Sequence, residues 1–258
     1  MSFIIVEKID DISKITLNRP EKFNSFCREM ALDLQRALDD AAKDETIRCV
    51  YIIGEGKAFC AGQDLAEAIE DNGIELAQIV KEHYNPIIEK MRAMPKPIVC
   101  AVNGVAAGAG ANIALAGDIV IAVQSSSFIQ AFSKIGLVPD SGGTFILPRL
   151  IGFQKASALM MLGDKISAHE AEQLGMIYKV YHDENFNEES WKLAIVLANM
   201  PTKGIALTKK LLNESYNNTL QSQLELEGKL QVEASQTHDY QEGVNAFLEK
   251  RKPIFKGN

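Results

Sequence analysis

The chain has 258 residues, 47% hydrophobic and 24% charged, which is the composition of an ordinary globular protein. Its net charge of −7 argues against a protein that binds the phosphate backbone of nucleic acids. We expect no membrane association and a cytoplasmic location, because no apolar run approaches the roughly 18 residues of a membrane span and the N-terminal residues turn acidic too early for a signal peptide.

The first two thirds of the chain alternate short apolar runs with helical periodicity. Strands are predicted in FIIVEKI, ISKITLN, RCVYIIGEG, KPIVCAVNG and DIVIAV, and a helix is predicted over about residues 26–43. The later runs are continuously apolar, as in strands that are covered on both faces. This alternation predicts an α/β fold whose sheet is mainly parallel and has right-handed crossovers.

The segment GVAAGAGANIALAG, residues 104–117, is too rich in alanine and glycine for a further strand, and it predicts a turn that opens a buried helix. After about residue 152 the pattern becomes helical. Ser167 and Glu170 have the spacing of a capping box, and further helices are predicted near residues 191–199, 203–216, 220–233 and 240–251. We therefore predict a core over residues 1–200 and a C-terminal helical region over residues 201–258.

The glycine-rich turn of residues 104–110 allows three interpretations. A dinucleotide could bind at the helix start, but the motif lies far from the first βα turn and no tyrosine has a lysine four residues later. The free backbone N–H groups of a helix start could instead stabilise an oxyanion. The small residues would be equally suited to tight packing of a helix on a sheet.

A second turn of small residues, KAFCAGQDL, follows another predicted strand and could supply a second backbone donor. Cys60 within it could act as a nucleophile only with a partner base, and none of the four histidines stands in a catalytic motif. The four cysteines, Cys27, Cys49, Cys60 and Cys100, stand singly. Their spacing predicts reduced thiols and no bound metal.

Taken together, LNRPEKFNSF, GKAFCAGQDL, KPIVCAVNGVAAGAG, GDIVIA, GLVPDSGGTFILPRLIG, AExLG and EGVNAFLEKR resemble the crotonase, or enoyl-CoA hydratase/isomerase, superfamily. The resemblance runs in order from about residue 2 to residue 255. It implies a ClpP/crotonase-like spiral of ββα units with a C-terminal helical region that forms a homotrimer or a dimer of trimers. It also implies an acyl-CoA substrate and a thioester enolate, so that coenzyme A is part of the substrate and no separate cofactor is needed.

The resemblance also implies a set of site residues. The backbone N–H groups of Ala61 and Ala109 would hold the enolate oxygen. The CoA nucleotide would lie along the loops that carry Lys22 and the run Ala61, Gly62, Gln63 and Asp64. Lys250 and Arg251 would reach its phosphates, with the neighbouring subunit as one source of these residues.

Hydratases of this superfamily carry two glutamates, and the matching positions here hold Asn112 and Phe132. Neither side chain can move a proton, which argues against the addition of water. Asp140 matches the single acid of the isomerase branches, and one base that returns its proton suffices for a proton shift. The alternative role for Asp140 is a helix cap, since the following Ser-Gly-Gly could begin a helix.

Three segments, including AFSKIGLVPDSGGT, are similar to a branch that converts a ring-epoxidised aromatic acetyl-CoA to a seven-membered oxepin. Phe132 and Phe145 would suit an aromatic acyl group, although core packing explains them as easily. The alternatives are an aliphatic Δ3,Δ2-enoyl-CoA isomerase, an enoyl-CoA hydratase of β-oxidation and, disfavoured by the charge, an RNA-binding protein of the same fold.

Overall fold

A computed structural model describes residues 2–68 and 74–258 of the chain, which form two sheets surrounded by helices. The larger sheet contains β1 (Ile4–Ile9), β2 (Ile12–Leu17), β3 (Cys49–Gly54), β5 (Ile98–Val102), β7 (Ile119–Val123) and β10 (Lys179–Tyr181) in that spatial order. β1 and β2 are antiparallel, and the further pairs are parallel. The mainly parallel sheet predicted from the apolar runs is confirmed.

The smaller sheet contains β4 (Ala58–Cys60), β6 (Val105–Ala107), β8 (Ser127–Ile129) and β9 (Lys165–Ser167) in that spatial order. The chain passes from β3 to β4, from β5 to β6 and from β7 to β8, and helical structure follows each pair. This repetition is the spiral of ββα units that the resemblance implied.

The helices pack on the sheets and make up the C-terminal region. They are α1 (Arg28–Lys43), α2 (Leu65–Ala68), α3 (Leu76–Gln78), α4 (Asn85–Ala93), α5 (Ala109–Leu115), α6 (Gly143–Ile151), α7 (Phe153–Leu162), α8 (Ala168–Gln173), α9 (Phe186–Ala198), α10 (Thr202–Glu214), α11 (Leu220–Ser235) and α12 (His238–Glu249). A π-helical turn over Ile79–Tyr84 joins α3 to α4, and 3-10 turns span Pro20–Lys22 and Ala131–Ile135.

Much of the core lies where α1 and α5 pack on the sheets and α4 packs on α1. α1 buries Met30, Leu34, Ala37, Leu38 and Ala41, which recur at the three- and four-residue spacing of one helical face. Every residue of α5 is buried. This helix packs so closely on β4 that a Cβ at Gly110 would lie 2.6 Å from Cys60 Sγ, which is why a glycine is needed there.

Two parts of the sequence-based description need correction. Residues 104–117 hold the predicted buried helix, but Val105–Ala107 form a strand of the smaller sheet. The prediction of a nearly all-helical last third missed β9 and β10. These strands have three residues each, too few for a period-two pattern to stand out, and their pairing partners are distant in the sequence.

The C-terminal helices agree with their predicted positions to within a few residues, apart from an earlier start of α9. Ser167 Oγ accepts the N–H of Glu170 at 3.2 Å, so the predicted cap of α8 is confirmed. Among the helices described here, none combines the length and the hydrophobicity needed to span a membrane.

Candidate active site

Two loops that are distant in sequence form one platform at the edge of the smaller sheet. Phe26 N–H donates to Gly62 O at 2.7 Å, and Asp64 N–H donates to Phe26 O at 2.9 Å. Arg19 and Asp64 form an ion pair at 2.7 Å with both side chains largely buried. Burial alone would raise the pKa of Asp64, but the hydrogen bonds from Arg19 and Ala66 outweigh it and lower the pKa.

The second feature of the site is the start of α5, which lies against this platform. Gly108 precedes the helix with φ 53 and ψ −127, a conformation that favours glycine. A Cβ at Gly62 would lie 3.6 Å from Ala109 N, so the loop and the helix start are in close contact. The N–H of Ala109 opens the helix and has no acceptor within it.

The prediction that Ala61 supplies the other oxyanion donor is wrong for this structure. Ala61 N–H donates to Phe23 O at 3.0 Å, which holds the two loops together. Gly62 N–H approaches Cys60 Sγ at 3.4 Å, and Asp64 N–H is bonded to Phe26. Gln63 N–H has no acceptor among residues 2–68 and 74–258, so it is the donor that this loop leaves available.

The side chain of Gln63 is held at both ends of its amide. Tyr84 Oη donates to Gln63 Oε1 at 2.6 Å, and Gln63 Nε2 donates to Glu67 Oε2 at 3.1 Å. Glu67 in turn accepts the backbone N–H of Arg28 at 3.0 Å. The sequence carried no signal for this network, since its members belong to separate segments without a shared motif.

Asp140 lies just before α6, and it does not cap that helix. The N-cap residue is Gly142, and no side chain caps the helix. The carboxyl group of Asp140 instead accepts the Ser141 hydroxyl at 2.8 Å. Burial raises the pKa of Asp140 above its ordinary value of 3.8, although the Ser141 hydroxyl and the residue's own N–H lower it in part. The capping alternative is therefore wrong.

Asp140 lies close to the other parts of the site. Asn112, one turn into α5, donates through Nδ2 to the backbone oxygen of Asp140 at 2.9 Å. Burial first, and then the charge of Asp140, raises the pKa of the Tyr84 phenol well above 10.0. The Asp140 turn, α5 and the Gln63 loop thus belong to one region.

The two positions that match the hydratase glutamates hold uncharged side chains in the structure. Asn112 is fully buried, and Phe132 is 6% exposed. A Cβ at Gly108 would lie 3.8 Å from the ring of Phe132, which places this ring against the residue that precedes Ala109. An apolar ring at this place leaves no group there to activate water.

Phe145 lies elsewhere than Phe132. The guanidinium carbon of Arg149 lies 3.7 Å from the centroid of the Phe145 ring, and this ring packs edge-to-face against the ring of Tyr216. It lines a mainly apolar cavity of about 890 Å³ between α4, α6 and α10, together with Gly142 and Leu212. Of the two phenylalanines proposed for an aromatic acyl group, Phe132 is the one that packs beside the start of α5.

Cys60 lies at the end of β4, beside the start of α5, and is fully buried. Burial raises the pKa of its thiol to about 12, so the thiol is protonated at neutral pH. A protonated, enclosed thiol is a poor nucleophile, and this argues against the covalent mechanism considered from the sequence.

The basic residues assigned to CoA binding, Lys22 for the nucleotide and Lys250 and Arg251 for the phosphates, differ in their surroundings. Lys22 ends a 3-10 turn on the platform, and its charge helps to lower the pKa of Asp64. Arg251 is bound to both oxygens of Glu242 and to Glu249 at 2.6–2.8 Å, so its guanidinium group is engaged within the chain. Lys250 is exposed at the end of α12.

Comparisons with known proteins agree with this architecture over the whole chain. Residues 7–258 match the family described as enoyl-CoA hydratase/isomerase. The chain is 46% identical to 1,2-epoxyphenylacetyl-CoA isomerase of Escherichia coli (strain K12), over 100% of this chain and 99% of the relative. It is 43% identical to a protein named probable enoyl-CoA hydratase from Rhodobacter capsulatus, over 96% of this chain and 95% of the relative.

A solved structure of enoyl-CoA hydratase from Bacillus anthracis superposes with a TM-score of 0.92 at 32% identity. The superposition covers 99% of this chain and 100% of the other. Relatives with hydratase names and with an isomerase name therefore share this fold, so the fold alone does not separate the two reactions.

Proposed function

The chain belongs to the crotonase, or enoyl-CoA hydratase/isomerase, family, and on this premise we propose that it isomerises an acyl-CoA without adding water. The proposed substrate is 2-(1,2-epoxy-1,2-dihydrophenyl)acetyl-CoA, and the proposed product is the oxepin-CoA. The observation that carries the proposal is the half-buried carboxyl group of Asp140, together with the neutral side chains of Asn112 and Phe132 at the positions where hydratases carry glutamates.

The first step of the proposed reaction is removal of a proton from the carbon next to the thioester. The backbone N–H groups of Gln63 and Ala109 would donate to the enolate oxygen as its charge develops, and such donors typically contribute 10²- to 10³-fold each. Asp140 would accept the proton as a carboxylate. Burial supports this role, because it raises the pKa of the carboxyl group towards the range where a base also releases its proton again.

In the second step the carbon–carbon bond that the epoxide shares with the ring would break as the ring double bonds shift, so that both carbon–oxygen bonds stay intact in the seven-membered ring. The electron pair of the enolate would then form a carbon–carbon double bond outside the ring, while a double bond of the ring moves to the carbon that takes up the proton. Asp140 would return the same proton at a ring carbon. One proton leaves one carbon and one proton arrives at another, so the product has the mass of the substrate and no water is consumed.

The CoA moiety would lie on the platform formed by Lys22, Gly62, Gln63 and Asp64, where the structure brings the two loops together. Ala61 would form part of this surface without donating to the substrate, because its N–H already donates to the backbone oxygen of Phe23. Lys250 remains a proposed phosphate ligand. It would act from a neighbouring subunit in a homotrimer or a dimer of trimers, since α11 and α12 expose large apolar side chains such as Leu220, Phe247 and Leu248.

The name of the Escherichia coli relative supports the aromatic epoxide as substrate. The name of the Rhodobacter capsulatus relative favours hydration as the second candidate, and Asn112 and Phe132 argue against it. An aliphatic Δ3,Δ2-enoyl-CoA isomerase would use the same residues with a different acyl pocket. The cytoplasmic location expected from the N-terminal sequence stays a prediction.

The test is to supply the epoxide from phenylacetyl-CoA with a ring-epoxidising oxygenase in the same vessel. We expect a product of unchanged mass with the absorbance of the oxepin. No conversion of the epoxide, together with fast turnover of an aliphatic 3-enoyl-CoA, would assign the chain to the aliphatic isomerases instead.

A further inference from the structure

Behind the turn that carries Asp140, two buried amide side chains form a continuous hydrogen-bonded chain. Gln130 Nε2 donates to Asn112 Oδ1 at 2.8 Å, and Asn112 Nδ2 donates to the backbone oxygen of Asp140 at 2.9 Å. Gln130 is 3% exposed and Asn112 is fully buried. We call Gln130 and Asn112 the amide relay, because they connect the end of β8 to the Asp140 turn through α5.

The chemistry of the groups fixes the direction of the amide relay. A backbone carbonyl oxygen only accepts hydrogen bonds, so Asn112 must present its NH₂ group to Asp140. The oxygen of Asn112 then faces Gln130, which must present its own NH₂ group in turn. An ionised carboxylate at either position has no proton to donate, and an aliphatic side chain offers neither group.

Gln130 is not the residue that packing alone would favour. Its Oε1 atom is buried and has no hydrogen-bond partner within the described part of the chain. A buried acceptor without a partner lowers stability, so an apolar side chain of similar size would be more stable there. The hydrogen bond that Gln130 donates to Asn112 is therefore the feature that accounts for an amide at this position.

The turn that the amide relay holds has an unfavourable backbone. Ser141 has φ 51 and Gly142 has φ 71, and the left-handed region is uncommon for a residue such as serine. Gly143 N–H donates to the same Asp140 oxygen at 2.9 Å, and a Cβ at Gly143 would lie 2.7 Å from Asn112 Cγ. The carbonyl group of Asp140 is thus fixed from two sides, which also fixes the direction in which its side chain leaves the backbone.

We propose that Gln130 and Asn112 are positioning residues that hold the Asp140 turn so that its carboxyl group faces the thioester. This proposal rests on the proposed function, because it needs Asp140 to carry the proton. Asn112 then has a role of its own: it stands where hydratases carry an acid, and its amide orients the acid of the neighbouring turn.

The ionisable groups around the amide relay permit a test that uses pH. Burial raises the pKa of Cys60 to about 12 and that of Cys100 still further, so both thiols stay neutral below about pH 8. Lys134 and His169 are exposed on neighbouring elements. The wild type, each variant and its matched control all retain these two residues.

The experiment measures the exchange of the C2 protons of phenylacetyl-CoA for deuterium in D₂O, which follows proton removal without requiring the epoxide. The acidic variants are Gln130→Glu and Asn112→Asp, which lack the donated hydrogen bonds while their carboxyl groups are ionised. We expect kcat for exchange to fall roughly 10- to 100-fold at about pH 8, with KM little changed.

Protonation of the introduced carboxyl group restores a donor to the amide relay. In the Gln130→Glu variant the protonated side chain can donate to Asn112. In the Asn112→Asp variant the protonated side chain can accept from Gln130 and donate to the backbone oxygen of Asp140. The ratio of variant to wild-type kcat should therefore rise at least about 5-fold as the pH falls to about 5.5.

Gln130→Met and Asn112→Leu are the matched controls, because neither side chain can take part in the amide relay at any pH. The ratio of their kcat to that of the wild type should therefore not change with pH. Circular dichroism at each pH confirms that all variants are folded. The proposal would be overturned if the ratio of variant to wild-type kcat did not change with pH in the acidic variants. It would also be overturned if Gln130→Met had the kcat of the wild type. Asp140→Asn is measured in parallel. If this variant exchanges the C2 protons at the wild-type rate, the proposed function itself is refuted. If it is inactive while the kcat ratios of Gln130→Glu and Asn112→Asp do not change with pH, only the role of the amide relay is refuted.

Discussion

The two halves of the site use different parts of the chain. On one side, the Gln63 loop and the start of α5 present backbone N–H groups, whose positions depend on glycines and on hydrogen bonds between loops. On the other side, residues 130–143 present side chains, and their identity decides whether a proton can be moved. In our account the first half is suited to any thioester enolate, and the second half selects isomerisation over hydration.

The largest effect should come from removing one backbone donor. Ala109→Pro deletes the N–H at the first position of α5, where proline is tolerated in helices, and kcat should fall about 10³-fold. Ala109→Gly keeps the N–H and should stay within about 3-fold of wild type. Steady-state kinetics on folded protein measures both. Equal turnover in the two variants would show that the donor lies elsewhere.

The next effect tests the side-chain half of the site. Asp140→Asn preserves the shape of the side chain and can still accept from Ser141, but it cannot take up a proton. We expect kcat to fall about 10²-fold or more with KM little changed. Near-wild-type turnover in this variant would remove Asp140 from the mechanism.

A smaller effect concerns stability, and its sign follows from the raised pKa of Asp140. The pKa of Asp140 in the folded protein lies above its ordinary value of 3.8, so the folded state favours the protonated carboxyl group. This contribution to the free energy of unfolding is fully present below pH 3.8 and is lost as the pH rises through the pKa of the folded state. Asp140→Asn carries no charge at any pH. Its Tm should exceed that of wild type by about 2 °C at neutral pH, and the difference should shrink towards pH 4. A lower Tm at neutral pH would contradict the buried-carboxylate description.

The smallest effect is expected at Cys60, which contacts the Gln63 loop and α5 but has no part in the proposed chemistry. Cys60→Ala removes a thiol whose pKa burial raises to about 12, and kcat should change by less than about 3-fold. Thermal unfolding of the same variant provides the control, since the lost packing against Gly110 should lower Tm. A loss of activity comparable to that of Asp140→Asn would revive the covalent mechanism.

Much of this site could be predicted from the sequence because its motifs lie within short segments. Continuous apolar runs indicated the strands of the larger sheet, and the Gly-Ala segment indicated the buried helix α5. The resemblance to the isomerase branches of the family directed attention to Asp140 as a candidate base. The structure adds that this carboxyl group is half-buried and does not cap α6.

Other features depend on contacts that no local pattern records. The choice between Ala61 and Gln63 as donor depends on which N–H the loop of residues 19–26 already engages. The pairing of Gln130 with Asn112 joins two residues whose separation in sequence gives no periodic signal. The strands of the smaller sheet escaped prediction because three residues are too few for a pattern.

The most direct test of the central claim is incubation of the purified protein with crotonyl-CoA, followed by mass spectrometry of the thioester. We predict no 3-hydroxybutyryl-CoA above the uncatalysed level, because Asn112 and Phe132 leave the site without the pair of acids that activates water. Rapid formation of a product heavier by one water molecule would contradict the claim that this chain isomerises its substrate without hydrating it.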